Sequence, residues 1–301
     1  MKSCLLSVGE LVRRARNMVW ILVLSFIFTG CQPQDVSLRE TPELLTIGVL
    51  PFQEPERLRD TLQPLLDYLS ETLEVEIQLT IASDYEQLIE EFGTKSIDIA
   101  SFGGVGFVEA YERFDAFPIV SREIDQRYTS YVLVGADDPA VSLLDLRTKS
   151  FLFGPVDSTS GHVMPRYFLQ NAGVAPEQAL SKIDYSNSHA DTIIRLIENE
   201  FDAGAVSAEV VDRMFQAGQL NTDELRVLWE TPPYFNYTWV VQPDYSVTVI
   251  NQIRDAFLSL TKSNSRHAQI LETIGAEYYV PASVEDYDAF EEILNSIIIS
   301  E

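Results

Sequence analysis

Three consecutive hydroxyl-bearing residues, Ser158-Thr159-Ser160, run into Gly161 and His162. Side-chain hydroxyls bring hydrogen-bond donors without bringing charge. An apolar segment precedes them, Phe151-Leu152-Phe153-Gly154-Pro155, which reads as a strand with its exit turn. Val163 to Asn171 follows and reads as a helix stopped by Gly173. The run therefore stands at a strand-to-helix junction. Unpaired backbone N–H groups and the positive end of the helix dipole favour an anion there. A small tetrahedral oxyanion needs many converging donors of this kind. A plain N-cap is the alternative, since Ser and Thr are preferred caps; it accounts for one hydroxyl, not three. Pro165 clashes with a regular preceding turn, so the helix either starts after Ser160 or has an irregular first turn.

Other candidate residues are less specific. His189 follows a strand at Ile183-Asp184-Tyr185. It could donate to an oxyanion or serve as a helix-start residue bonded locally, and the sequence leaves both open. Tyr85, Tyr128, Tyr131, Tyr234, Tyr237 and Trp239 stand at strand ends or segment junctions, where packing is as good a reason for an aromatic as a ligand. Asp202 starts a strand and reads as structural. A phosphoryl-transfer enzyme using Ser158 or Thr159, with His189 as base, lacks a third orienting group and is the weaker reading. His162, His189 and His267 have no metal-ligand spacing and there is no cysteine cluster. Neither of the glycine-rich phosphate-loop motifs is present. No metal and no cofactor is expected.

The elements that must position these residues alternate. Leu45 to Leu50 is a strand stopped by Pro51, and Arg57 to Leu73 is an amphipathic helix through Leu58, Leu62, Leu65, Leu66 and Leu69. Val75 to Ala82 is a strand, and Asp84 caps a helix from Tyr85 to Phe92. Ile97 to Phe102 is a strand leading through Gly103-Gly104 to a helix from Val105 to Phe114. Strands at Tyr128–Gly135, 183–185, 201–206, 225–229 and 239–241 alternate with helices at 190–198, 209–217 and 247–260. This order implies the α/β class with parallel strands and crossover helices. Ligands then sit beyond the carboxyl ends of the strands. The loops at Pro51-Phe52, Ser83-Asp84-Tyr85, Phe102-Gly103-Gly104 and 157–162 share that edge.

The start of the chain reads as an export signal. Lys2, Arg13, Arg14 and Arg16 precede an apolar run from Met18 to Phe28 that is short for a membrane span. Thr29-Gly30-Cys31 resembles a bacterial lipobox, with Phe28 where Leu is more usual. That resemblance implies cleavage before Cys31, lipid attachment to it, and a polar tether over 31–44. An uncleaved anchor with Cys31 incidental is the alternative. The 301-residue chain has 21 basic and 46 acidic residues, a net charge of −25. Loss of residues 1–30 removes four basic residues and one acid and leaves a net charge of −28. So acidic a chain excludes nucleic acid as a partner. It does not exclude a small anion, because donors aimed into a cleft act at contact distance while surface charges are screened.

Several stretches together resemble the PhnD-like phosphate, phosphite and phosphonate-binding proteins of bacterial ABC importers. They are Ile47-Gly48-Val49-Leu50-Pro51, Ser83-Asp84-Tyr85, Asp98 to Gly103, Asp157 to Pro165, Ser188-His189, Asp202 to Val206 and Leu225 to Trp229, in family order over residues 45–260. The resemblance implies a two-lobed type II periplasmic binding protein, each lobe a mostly parallel sheet flanked by helices, joined by a two-strand hinge. Lobe 1 would be 45–129 with 240–301, and lobe 2 would be 130–239. Ser158, Thr159, Ser160, Gly161 and His189 would hold the phosphorus oxyanion from lobe 2. Tyr85 would contact it from lobe 1, and Tyr128 and Tyr237 near the hinge. Family members that take aminoalkyl phosphonates hold the amine with acids. Glu209 matches one of them; near Asn236-Tyr237, where the other falls, this chain has none. An aromatic wall of Tyr234, Phe235, Tyr237 and Trp239 stands there instead. A buried ammonium without full pairing is costly. The expected ligand is therefore phosphite, methylphosphonate or phosphate. The expected partners are an inner-membrane ABC permease and the membrane itself through the lipid, with the protein a monomer. A membrane kinase reading the closed form is the alternative to the permease.

Overall fold

The computed structural model describes residues 38–50 and 55–297. Cys31, the segment 1–30 and the Pro51-Phe52 loop lie outside them. The first lobe begins β1 (Leu44–Val49), α1 (Pro55–Leu73), β2 (Glu76–Ile81), α2 (Tyr85–Gly93), β3 (Ile99–Phe102), α3 (Gly104–Phe114) and β4 (Phe117–Arg122). The second holds β5 (Ser130–Gly135), β6 (Ser150–Phe153), α4 (Met164–Asn171), α5 (Pro176–Ala179), β7 (Lys182–Tyr185), α6 (His189–Ile197), β8 (Ala203–Ser207), α7 (Ala208–Gln216) and β9 (Leu225–Glu230). The chain then returns to the first with β10 (Thr238–Val241), α8 (Val247–Leu258), α9 (Ser265–Thr273), β11 (Tyr279–Pro281) and α10 (Asp288–Ser296).

The strands form a six-stranded sheet, β11-β4-β10-β3-β1-β2, and a five-stranded sheet, β7-β6-β8-β5-β9. Both are mixed, which corrects the expectation of mostly parallel sheets. β2, β1 and β3 are parallel, as β-α-β units require, while β10, β4 and β11 run antiparallel to their neighbours. The second sheet repeats this, with β7, β6 and β8 parallel and β5 and β9 antiparallel. β5 and β10 enter from the other sheet and run against the β-α-β strands they join, so β9 and β4, which pair with them, are antiparallel neighbours as well. The crossing segments meet at Tyr128 and Tyr234, which exchange both backbone hydrogen bonds at 2.9 and 3.0 Å. The six-stranded sheet already takes up Thr238 and Trp239, which the sequence assigns to the second lobe.

Each sheet is covered on both faces. All five leucines expected on the buried stripe of α1 are buried against one face of the first sheet, together with Phe257 of α8 and Leu271 of α9. Burying each such side chain contributes about 1.5–3 kcal/mol. α2 and α3 cover the opposite face through Leu88, Phe92 and Phe107. Asp202 ties β6 to β8 by accepting from Ser150 N and Oγ at 2.7 Å, the structural role expected of it. β4 went unread in the sequence because it carries Pro118, which cannot donate to a ladder. The register of β10 against β4 shifts at Trp239/Val240, and Val240 faces Pro118.

Candidate oxyanion site

The cradle is built by a π turn over Thr159–Val163 that leads into α4. His162 N and Val163 N both donate to the Ser158 carbonyl, at 3.1 and 3.0 Å. Pro165 has no N–H, so it cannot bond the carbonyl of Gly161 four residues back. That carbonyl instead accepts from Gly154 N at 2.8 Å. The irregular first turn foreseen from Pro165 is thus present, and it fastens the cradle to the exit of β6. The fastening requires two glycines. A Cβ on Gly154 or on Gly161 would stand 2.8 Å from the other's Cα.

Ser158, Thr159 and Ser160 are all buried, between 1% and 3% exposed. Each oxygen is placed against a protein donor. Ser158 Oγ accepts from Gly161 N at 3.0 Å, and Thr159 Oγ1 accepts from Val105 N of α3, in the other lobe, at 2.9 Å. His189 Nδ1 accepts from Ser207 N at 3.3 Å, which leaves the imidazole proton on Nε2. That Nε2–H lies 3.4 Å from Ser160 Oγ, the acceptor of the third contact. The Thr159 and Ser160 oxygens accept these N–H groups and keep their own protons to give, while the Ser158 hydroxyl is shared with Tyr85. Burial pushes the His189 pKa down to about 4, against the pull of Glu209, so the ring is a neutral donor near pH 7. A neutral His189 already protonated at Nε2 cannot take a proton from Ser160. The arrangement is a cradle of donors and not a nucleophile with its base.

The first lobe closes over this cradle with the start of α3. Gly103 packs against it so closely that a Cβ there would stand 3.2 Å from Thr159 Oγ1, 3.4 Å from Asn236 Oδ1 and 3.7 Å from the Tyr237 ring. Asn236 Oδ1 accepts from Gly104 N at 3.3 Å, while its Nδ2 has no partner although the residue is 1% exposed. A buried amide donor without a partner is costly unless a ligand meets it. The start of α3 and Asn236 are the site residues that sequence reasoning missed. Gly103-Gly104 stood at the ligand edge in the sequence, but an unspent amide has no sequence signature.

Tyr85 opens α2, and its hydroxyl is directed at Ser158; burial raises its pKa and the Ser158 contact offsets part of that rise. Tyr237 lies beside Gly103 and meets Tyr128 edge-on at 5.6 Å. Tyr128 lines the cavity beside the cradle, with its hydroxyl already taken. Its hydroxyl is engaged by Ser207 Oγ at 2.5 Å and by Glu209 Oε2 at 3.2 Å. Glu209 is paired with Arg122 of β4 through both carboxylate oxygens, at 3.0 Å each. Burial alone would raise its pKa, but the Arg122 guanidinium brings it down to about 2. Neither residue therefore presents a free group to a ligand as expected. The aromatic wall divides as well. Tyr237 and Trp239 line a cavity beside the cradle, while Tyr234 bonds Ser130 Oγ at 2.6 Å and Phe235 packs on Tyr287. His162 is structural: its Nδ1 donates to the Val156 carbonyl at 2.5 Å, its Nε2 accepts from Arg166 at 2.9 Å, and burial holds its pKa at about 4. Among the described residues, no group of three or more His, Cys, Asp or Glu side chains could hold a metal.

Two mixed sheets with a donor-lined cleft between them define a type II periplasmic binding protein for an oxyanion. The comparisons agree. Residues 47–287 match the model of the ABC transporter, phosphonate, periplasmic substrate-binding protein family, and the chain belongs to that family. It is 30% identical over 289 residues to the probable ABC transporter phosphite binding protein PhnD1 of Prochlorococcus marinus (strain MIT 9301), spanning 92% of this chain and 97% of that one. It is 25% identical over 247 residues to the phosphonates-binding periplasmic protein of Escherichia coli (strain K12), spanning 78% of this chain and 71% of that one. The structure of PhnD1 in complex with methylphosphonate superposes with a TM-score of 0.79 over 85% of this chain and all of that one. The protein is thus the substrate-binding component of a transporter and not an enzyme. None of the described helices is long and apolar enough to cross a membrane.

Proposed function

We propose that the cleft binds a small phosphorus oxyanion without an amine, namely phosphite, methylphosphonate or phosphate, for delivery to an ABC permease. Ser158, Thr159, Ser160, Gly161, His189 and Tyr85 form its cradle, with Tyr237, Asn236 and the start of α3 completing it. The observation that carries this reading is the state of the three hydroxyls. Each oxygen faces a protein N–H, which leaves the Thr159 and Ser160 protons, with the paired Ser158 and Tyr85 hydroxyls beside them, to meet an acceptor in the cleft. A deprotonated phosphonyl group offers such an acceptor on every oxygen. The probable phosphite binding protein PhnD1 and its methylphosphonate complex support the choice of ligand. Hydrogen bonds to a charged group contribute about 1.5–3 kcal/mol each, and micromolar affinity needs about 8 kcal/mol. Several donors, less the ordering cost of closure, reach that.

Lobe 1 is taken as 45–129 with 240–301 and lobe 2 as 130–239, with the return moved to Thr238 where β10 joins the first sheet, and the two close about the Tyr128/Tyr234 crossing in a monomer. The lipobox-like Thr29-Gly30-Cys31 supports lipid attachment at Cys31; release of Cys31→Ser from the membrane fraction checks it. The function is tested by titration calorimetry of residues 32–301 against phosphite, methylphosphonate, phosphate and 2-aminoethylphosphonate. Tight binding of one of the first three, lost in Ser158→Ala and His189→Ala, is the expected result. Preference for the amine compound overturns the choice of ligand, and binding of none overturns the cradle.

A further inference from the structure

Arg122 ends β4 in the first lobe, and Glu209 stands in the first turn of α7 in the second. A guanidinium has five N–H donors, and here all five are spent. Nε and Nη2 donate to the two oxygens of Asp125, each at 2.8 Å. Nη2 and Nη1 donate to the two oxygens of Glu209, each at 3.0 Å. The remaining Nη1 proton goes to the Ile274 carbonyl at 2.8 Å. Arg122 therefore has nothing left to give an oxyanion, although it lies at the cleft.

Its surroundings say what it does instead. The side chains of Arg122, Asp125 and Glu209 are 13%, 2% and 15% exposed. Arg213 Nη2 lies 3.4 Å from Glu209 Oε1, so two cations balance two carboxylates. Gly275 closes over the pair; a Cβ there would stand 3.4 Å from Glu209 Oε1 and 3.6 Å from Arg122 Nη1. The cluster lines a cavity of about 90 Å³ whose other walls include Tyr128, Tyr237 and Trp239. Tyr237 also borders the cradle, so the cavity adjoins the oxyanion site. Two carboxylates between aromatic faces are the chemistry that holds an alkylammonium group. Here the guanidinium already occupies that place.

We propose that Arg122 is a resident cation in an ammonium subsite, and that by holding Asp125 and Glu209 it restricts the cleft to phosphorus oxyanions without an amine. Arg122 acts through Glu209 and does not touch the ligand. The inference rests on the oxyanion reading of the cradle. It predicts that removal of the guanidinium leaves a net negative, aromatic-walled cavity beside the oxyanion, which admits the tail of an ω-ammonium phosphonate.

The test is titration of the wild type, Arg122→Met, Arg122→Lys and Arg122→Met/Glu209→Gln with phosphite, methylphosphonate and 2-aminoethylphosphonate. Selectivity is read as the affinity for 2-aminoethylphosphonate relative to the tighter of the other two ligands. Arg122→Met should move it towards the amine by about tenfold or more, and the double variant should lose that gain. Arg122→Lys keeps the charge and so guards against a folding failure. A single ammonium cannot span both carboxylates as the guanidinium fork does, so a shift of about threefold is expected. A folded Arg122 variant with selectivity within about twofold of wild type overturns the proposal, as does a gain that survives Glu209→Gln. Unchanged selectivity in variants that still bind methylphosphonate or phosphite sinks this proposal alone. A wild type that binds none of the three sinks the cradle reading, and this proposal with it.

Discussion

Asn236 shows how much of the site's specificity is settled atom by atom. Its Oδ1 is held by Gly104 N, which fixes the amide orientation and leaves Nδ2 buried without a partner. Asn236→Leu keeps the branching at Cγ, with two methyl groups in place of the amide atoms, and removes that donor. Affinity for phosphite or methylphosphonate should fall about 10–100-fold, as expected for one hydrogen bond to a charged acceptor. Tm should change little, because an unmet donor disappears along with the acceptor of Gly104. Unchanged affinity in calorimetry would mean that Nδ2 does not face the ligand. The histidines give a second residue-scale prediction. Burial depresses both His162 and His189 from 6.5 to about 4. The folded state thus refuses a proton that the unfolded chain accepts between these values, and the unfolded state binds more protons as pH falls. Stability is unaffected above about pH 6.5. It falls as pH drops from there towards 4, by roughly tenfold in the folding equilibrium per unit and per histidine. Urea unfolding at pH 7, 6 and 5 should show this decline, with a shallower slope in His189→Gln. A flat profile would show that neither ring is held neutral.

At the scale of elements, the turn between β6 and α4 depends on a backbone contact that no side chain can share. Gly161→Ala would put a Cβ 2.8 Å from Gly154 Cα, 3.0 Å from the His189 ring and 3.1 Å from Ser158 Oγ. Overpacking of this kind costs about 1–3 kcal/mol. The displaced groups are those that aim the donors, so binding should be lost while a cooperative thermal transition survives at lower Tm. Binding at wild-type affinity in this variant would show that the turn tolerates movement. The strand-to-helix junction and its irregular turn are legible because their signals are local: a strand, three hydroxyls, a glycine and a misplaced proline within 15 residues. The leucine stripe of α1 was legible for the same reason. What escaped was non-local or chemically weak. β11 has three residues, too few for a period, and β4 carries a proline. Glu209 read as a free acid because its partner, Arg122, is 87 residues away and in the other sheet. The Tyr128 hydroxyl is spent on that same Glu209, a contact across 81 residues of sequence.

Taken whole, the molecule sets its global charge against its local chemistry. The chain carries a net charge of −25, and a phosphorus oxyanion is also negative. The long-range field therefore opposes encounter. Once the ligand is in the cleft, it meets hydroxyls, a neutral His189 and backbone N–H groups, none of which salt can screen at contact distance. The nearby guanidinium is saturated and contributes no steering through free donors. Encounter and retention should then respond differently to ionic strength. The Debye length shortens from about 30 Å at 0.01 M to about 8 Å at 0.15 M, which screens the repulsion between protein and ligand. Stopped-flow fluorescence, with Trp239 beside the cleft as reporter, should show kon rising severalfold over that range with koff nearly constant. Ordinary electrostatic steering has the opposite sign, kon falling as salt is added. A falling kon would mean that a positive field at the mouth of the cleft outweighs the acidic surface. In that case Arg213, which is 44% exposed beside Glu209, would be the first residue to neutralise.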